Sequence, residues 1–313
     1  MTPARLLVLA VALATLALPA ILPQYDLRVL ILALISALSV IGLCIAFGWA
    51  GLIQLGQAAF VGIGAYASAI LARVYGFPFA AALFSAMVVT GAVAVLLGLP
   101  MLRLRGHYLA LATVGLNATV LIVISNAGDF TGGYDGYSAI PPVALFGVAF
   151  TTDPQYYYLV WAILAAVSLG AISLRASRFG RALIAIRDDE LAAGISGVTV
   201  IRLKVLAYGL CGVCGGISGS LYAHYAHYIS PGDFDLVHSI TLLIMLIVGG
   251  ETSVGGAILG AILLSFLPEW LRFLGDGYLA VFAVGVLLVL VLMPAGIVGL
   301  ARRATSSRAA ILA

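Results

Sequence analysis

Three groups of residues in this chain have the types and spacing that chemistry needs. The first is a charged island, "RFGRALIAIRDDELAAGISGVTVIRLK", at 178–204. The chain has 15 basic and 12 acidic residues, and five of the former and three of the latter fall in this stretch. Asp188, Asp189 and Glu190 stand just ahead of "LAAGI", where acids complement the positive end of a helix. A short amphipathic helix between two spans, flanked by Arg187 and by Arg202 with Lys204, has the form of a docking element. A solvated loop that only sets topology is the plainer alternative.

The second group is hydrolytic or metal-binding in appearance. "GISG" occurs at 194–197 and 216–219, and His224 and His227 follow the second copy. A serine nucleophile needs a base within hydrogen-bond reach. At about 100° per helical residue, Ser218 and His224 stand about 240° apart and Ser218 and His227 face opposite ways. His238, on the next segment, could approach, but nothing in the sequence requires it. Helix packing through Gly and Ser explains the motif more simply than an intramembrane serine protease. His224, His227 and Asp233 have ligand chemistry for a metal, but tyrosines and histidines with one wet end also suit a membrane interface, and no metal site is expected. Cys211 and Cys214 form a CxxC inside "GLCGVCGGISGS", a setting of small packing residues rather than of redox or zinc chemistry.

The third group is polar but neutral. Gln54, Gln57, Asn117, Asn126 and Thr252 are the candidates to line a pathway, with Glu251 the nearby charge. No acidic residue falls in the middle of an apolar segment. That pattern weakens proton- or sodium-coupled secondary transport, which draws on ionisable groups within the membrane. No GxxxxGK[ST] is present, so the chain has no phosphate loop of its own.

These residues must be positioned by an oily scaffold. The chain is 64% hydrophobic and 9% charged, with mean hydropathy +1.20 and net charge +3. A soluble domain carries about 25% charged residues. Lipid is therefore the solvent, and long unbroken runs such as "VFAVGVLLVLVL" (281–292) select helices over a barrel. The expectation is an all-α polytopic membrane protein, a single transmembrane domain over 1–313 with about ten spans. These are 5–22, 29–47, 57–75, 79–99, 107–127, 155–174, 203–228, 237–250, 254–274 and 278–299. Segment 237–250 is short enough to cross only in part, and 5–22 reads as an uncleaved first span rather than a signal peptide.

With the N-terminus inside, 12 of the 15 basic residues fall inside, and Arg28, Arg73 and Arg272 fall outside. The positive-inside rule thus gives N-in and C-in. A basic-free loop at 128–154 lies outside and a loop at 175–204 inside. Two Gly-rich bridges, "GWAGLIQLGQ" (48–57) and "GGETSVGG" (249–256), interrupt apolar segments in matching fashion, the pattern of either a repeat-built pathway or tight hairpin turns.

The stretch 177–223 resembles the cytoplasmic loop and following helix of permease subunits of branched-chain amino acid ABC transporters. The likeness continues in "GLIQLGQAAFVGIGAYASA" (51–69), "LRLRGHYLALATVG" (102–115), "TGGYDG" (131–136), "YISPGDFDLVHSITLLIMLIVGG" (228–250) and "GAILGA" (256–261). It covers about residues 30 to 300. Within it, Glu190, Ala192, Ala193 and Gly197 match the family's form of the loop that seats in an ATPase subunit. The resemblance implies a non-enzymatic permease in a bacterial inner membrane that binds no cofactor itself. ATP and Mg would be used by two cytoplasmic ATPase subunits. A second permease or a copy of this chain would complete the pathway, a secreted binding protein would deliver solute, and no nucleic acid is involved. ATPase coupling would fall to Arg181, Arg187, Asp188, Asp189, Glu190, Ala192, Ala193 and Gly197. Two departures stand out: "LNATVLIVIS" (116–125) lacks the family's acid–Arg pair, and Glu251-Thr252-Ser253 replaces its neutral Gly-rich turn.

Overall fold

A computed structural model describes residues 15–104, 106–145, 148–271, 284, 296–297 and 299. Ten α-helices of six residues or more carry the described chain, beside a four-residue one at Gly128–Thr131. They are α1 (Gln24–Leu43), α2 (Gln57–Val74), α3 (Phe79–Met101), α4 (His107–Asn126) and α5 (Asp153–Ala176). Then follow α6 (Arg178–Asp188), α7 (Glu190–Ile195), α8 (Val200–Ala226), α9 (Leu236–Gly249) and α10 (Val254–Leu271). Eight segments are long and apolar enough to span a bilayer, and they coincide with the eight inner segments expected from the sequence. Segment 278–299 lies almost wholly outside the described residues, as does most of 5–22. The short segment at 237–250 is lengthened by a 3-10 turn, Pro231–Phe234, into a 19-residue span, Pro231–Gly249.

α8 is the hub, packed against α1, α2 and α3. Its small residues explain why. A Cβ at Gly219 would stand 1.9 Å from the Val61 carbonyl oxygen, and one at Gly64 would stand 2.5 Å from the Gly216 Cα. The α2 and α8 backbones touch, and only glycine permits it. Close approach of this kind replaces the missing hydrophobic drive between helices in lipid. The outer faces of α3 and α4 carry exposed Phe84, Leu96, Tyr108 and Leu111, the surface that lipid tails would solvate.

Each end of the bundle is closed differently. At the end holding Asp153 and His227, the 128–154 segment folds over the helices. Tyr137–Ser138 pairs antiparallel with Tyr228–Ile229, Ala144–Leu145 pairs with Val148–Ala149, and the Arg73 guanidinium sits 4.7 Å over the Tyr137 ring. At the other end lie α6, α7 and the two Gly-rich bridges.

Candidate functional site

The charged island forms two helices, not the single one the sequence suggested. Ser177 caps α6 by accepting from Gly180 N at 3.4 Å. The break falls at Asp189, whose extended backbone ends α6 and whose carboxylate accepts from Leu191 N (2.9 Å) and Ala192 N (3.0 Å) to start α7. An acid that caps a new helix cannot also continue the old one. Gly197, at φ +85°, turns the chain away after α7, in the left-handed region glycine favours.

Charge pairs fix this double helix to the bundle. Lys204 Nζ, on a side chain only 10% exposed, donates to Glu190 Oε2 at 2.7 Å. Arg187 donates with one Nη to Glu251 Oε1 and with the other to the Gly48 carbonyl. Leu183, Ile186 and Ala193 are buried beneath, whereas Asp188, Asp189, Ala192 and Gly197 are exposed. Arg181 turns back to the Ala176 carbonyl at 2.7 Å. α7 also holds Leu191 and Ile195 out to solvent, at 69% and 89% exposure. Two large aliphatic side chains on a six-residue helix, presented by a rigid support, are what a soluble partner's groove recognises.

The two Gly-rich bridges meet at this junction. A Cβ at Gly48 would lie 1.8 Å from the Glu251 carbonyl oxygen, and the Trp49 indole donates to the Thr252 carbonyl at 3.3 Å. Gly48 and Trp49 occupy a π-helical turn, Cys44–Trp49, that continues α1. Arg187 therefore grips both bridges at once. Glu251 and Thr252, named above as pathway candidates, stand in this clamp.

Of the other pathway candidates, Gln54, Gln57 and Asn117 are interior, whereas Asn126 is exposed and donates to the Ile122 carbonyl of its own helix at 2.8 Å. Gln54 and Gln57 are fully buried and bonded to each other (Nε2 to Oε1, 3.1 Å), and Gln57 donates to Ser39 Oγ at 2.9 Å and to Cys211 O at 3.3 Å. The Cys211 thiol donates into the same pair, 3.2 Å from Gln54 Oε1 and 3.1 Å from Gln57 Oε1. Asn117 donates to Phe234 O at 3.4 Å. Each of the three buried amides is bonded to a neighbouring element, as a lipid-solvated bundle requires.

Ser218 and His238 do border one cavity, of about 140 Å³, together with Asp233. The Ser218 hydroxyl, however, donates to the Ile35 carbonyl at 2.8 Å, and no hydrogen bond joins it to His238. That serine is a helix-to-helix tie rather than an activated nucleophile. His224 Nδ1 donates to Pro141 O at 2.8 Å, its Nε2 lies 3.1 Å from Ser68 Oγ, and His227 Nδ1 donates to Ile140 O at 3.0 Å. These histidines staple the 128–154 segment to α8. Beside them, Asp153 joins three helices by accepting from Arg28 Nε (3.0 Å) and the Tyr225 hydroxyl (3.1 Å).

Eight apolar spans around a buried small-residue hub, with an anchored helix displaying apolar side chains at one end, define a polytopic helical membrane protein. The comparisons place it further. The family model for the permease component of branched-chain amino acid transport systems matches residues 26–292. The chain is 31% identical over 95% of its length to the high-affinity branched-chain amino acid transport system permease protein LivM of Salmonella typhimurium, covering 76% of that protein. It is also 31% identical to LivM of Escherichia coli K12, over 95% of this chain and 74% of that one. The ribose import permease protein RbsC of Escherichia coli K12 is 28% identical over 37% of this chain and 38% of its own. No solved structure matches significantly. This chain belongs to the family of branched-chain amino acid transport permeases.

Proposed function

We propose that this chain is one permease subunit of an ATP-driven importer in a bacterial inner membrane, carrying branched-chain amino acids or a closely related small solute. Family membership supports the class. The single observation that carries the mechanism is the clamped pair α6–α7. Its exposed Leu191 and Ile195 offer a contact to an ATPase subunit, and its anchors lead into the bundle.

In this reading the α6–α7 end is cytoplasmic, with N- and C-termini on the same side, as the basic residues direct. Two ATPase subunits use ATP and Mg there, and a second permease or a copy of this chain completes the pathway. A secreted binding protein docks at the opposite end, where Asp153 and the 128–154 segment lie. Closure of the ATPases displaces α7, and Asp188–Gly197 pass the displacement to Arg187. Arg187 pulls on Gly48 and Glu251, at the ends of α1 and α9, so that both bridges move together. Neutral contacts inside the membrane suit a system whose affinity resides in the binding protein.

Uptake into proteoliposomes holding the full assembly tests the proposal. Radiolabelled leucine should accumulate only with ATPase subunits, ATP and binding protein present. Uptake that persists without ATPase subunits and follows a proton gradient would overturn it.

A further inference from the structure

The cavity beside Asp233 has a division of character that the packing of the bundle does not require. Leu32 and Ile35 of α1 and Val61 of α2 give it an aliphatic lining. Asp233, Tyr222 and His238 give it a polar one, with Ser36 of α1 and Ser218 of α8 also at its edge. Asp233 is held ready by its surroundings. Its Oδ2 accepts from Ser230 N at 2.9 Å in a capping box that fixes the Pro231–Phe234 turn. Its other oxygen has no hydrogen-bond partner among the described residues, and neither do the His238 ring and the Tyr222 hydroxyl. The aromatic side is rigid, because the Phe234 ring packs edge-on against Tyr66 (6.2 Å) and Tyr222 (6.0 Å). A carboxylate with a spare oxygen, set beside aromatic rings and an aliphatic lining, matches a cation that carries a hydrocarbon tail.

We propose that this cavity is a binding site for the ammonium group of a small, apolar-tailed solute. Asp233 takes the ammonium, Tyr222 lies beside it, and Leu32, Ile35 and Val61 take the tail. At about 140 Å³ the space equals that of about five waters at roughly 30 Å³ each, room for a small solute and not for a drug-sized ligand. The cavity lies toward the Asp153 end of α8, lined there by Ser218 and Tyr222. The ligand class follows from the cavity walls, while its part in transport rests on the importer reading above. Unlike the interior pair Gln54 and Gln57, Asp233 offers a polar atom not already taken by a neighbour.

The test is ligand binding to the assembled membrane complex in nanodiscs, without the soluble binding protein, followed by saturation-transfer NMR. The probes are leucine, 3-methylbutylamine, which keeps the ammonium and tail, and 4-methylpentanoate, which lacks the ammonium. Leucine and the amine should bind and the acid should not. Asp233→Asn, which keeps an acceptor for Ser230 N, should weaken amine binding roughly 10- to 100-fold, the worth of one charged hydrogen bond. Ser36→Phe, which fills the cavity and leaves Asp233 in place, should abolish it. Equal binding of acid and amine, no amine binding, or unchanged amine binding in either variant would overturn the proposal. Loss of ATP dependence in uptake would instead overturn the importer reading and leave these binding results standing.

Discussion

Arg187 makes the sharpest prediction, because it joins the charged island to two distant bridges. Its two charged hydrogen bonds, to Glu251 and to the Gly48 carbonyl, are worth about 1.5–3 kcal/mol each in general. Both side chains are 30% exposed, so water competes and the lower end applies, about 3 kcal/mol for the two. The share specific to the Arg187–Glu251 pair is then about 1.5 kcal/mol, a factor of about ten. Arg187→Glu and Glu251→Arg should each lower leucine uptake per ATP hydrolysed by roughly tenfold, because the bridges no longer follow α7. The double exchange restores the pair in reverse and should recover most of that loss, although the relocated guanidinium no longer serves Gly48 as Arg187 does. The assay is a double-mutant cycle on reconstituted transporter, with uptake and ATP hydrolysis measured in the same vesicles. Additive losses in the double exchange, or single variants with normal uptake per ATP, would refute the clamp as the transmission element.

Three further outcomes follow from the packing and the anchors. Gly219→Val drives a side chain into the Val61 carbonyl, so destabilisation should reach or exceed the roughly 1–3 kcal/mol usual for overpacking, seen as lost monodisperse protein on size exclusion. Gln57→Leu strands Gln54 and Ser39 in the interior and should lower thermal stability by about 1–3 kcal/mol, read from the melting of detergent-purified protein. Glu190→Lys sets a second cation against the buried Lys204 and should release or uncouple the ATPase subunits, whereas normal copurification and normal stimulated ATP hydrolysis would contradict the docking assignment.

Much of this was legible in the sequence where the signal is local. Eight of the ten expected spans fall within a few residues of described helices, because lipid leaves the backbone no other choice, and the other two lie mostly outside the described residues. The small residues of "GLCGVCGGISGS" indicate close packing, and the backbone approach of Gly216 and Gly219 to α2 and the tie from Ser218 to α1 bear that part out. The acidic triplet marked a helix start, but not that Asp189 would cap a second helix and break the first. Contacts between distant residues were the part the sequence hid. Arg187 and Glu251 are 64 positions apart, and nothing local says that a loop cation and a bridge anion will meet. The same holds for Gln54, Gln57 and Asn117, whose polarity suggested a pathway and whose neighbours, known only from the fold, consume it. Asp233 and His238 were noticed as candidates for metal or hydrolysis, and the cavity they share with Leu32 and Val61 could not be read from spacing.

The central claim is that α7 is the face an ATPase subunit grips. A photo-crosslinking side chain placed at Ile195, which is 89% exposed, tests it in the assembled transporter, with Val237 as the control at the opposite end of the bundle. A covalent adduct between the Ile195 probe and the ATPase subunit is expected, and none from the Val237 probe. Absence of the adduct at Ile195 while the ATPase subunits remain bound would contradict it.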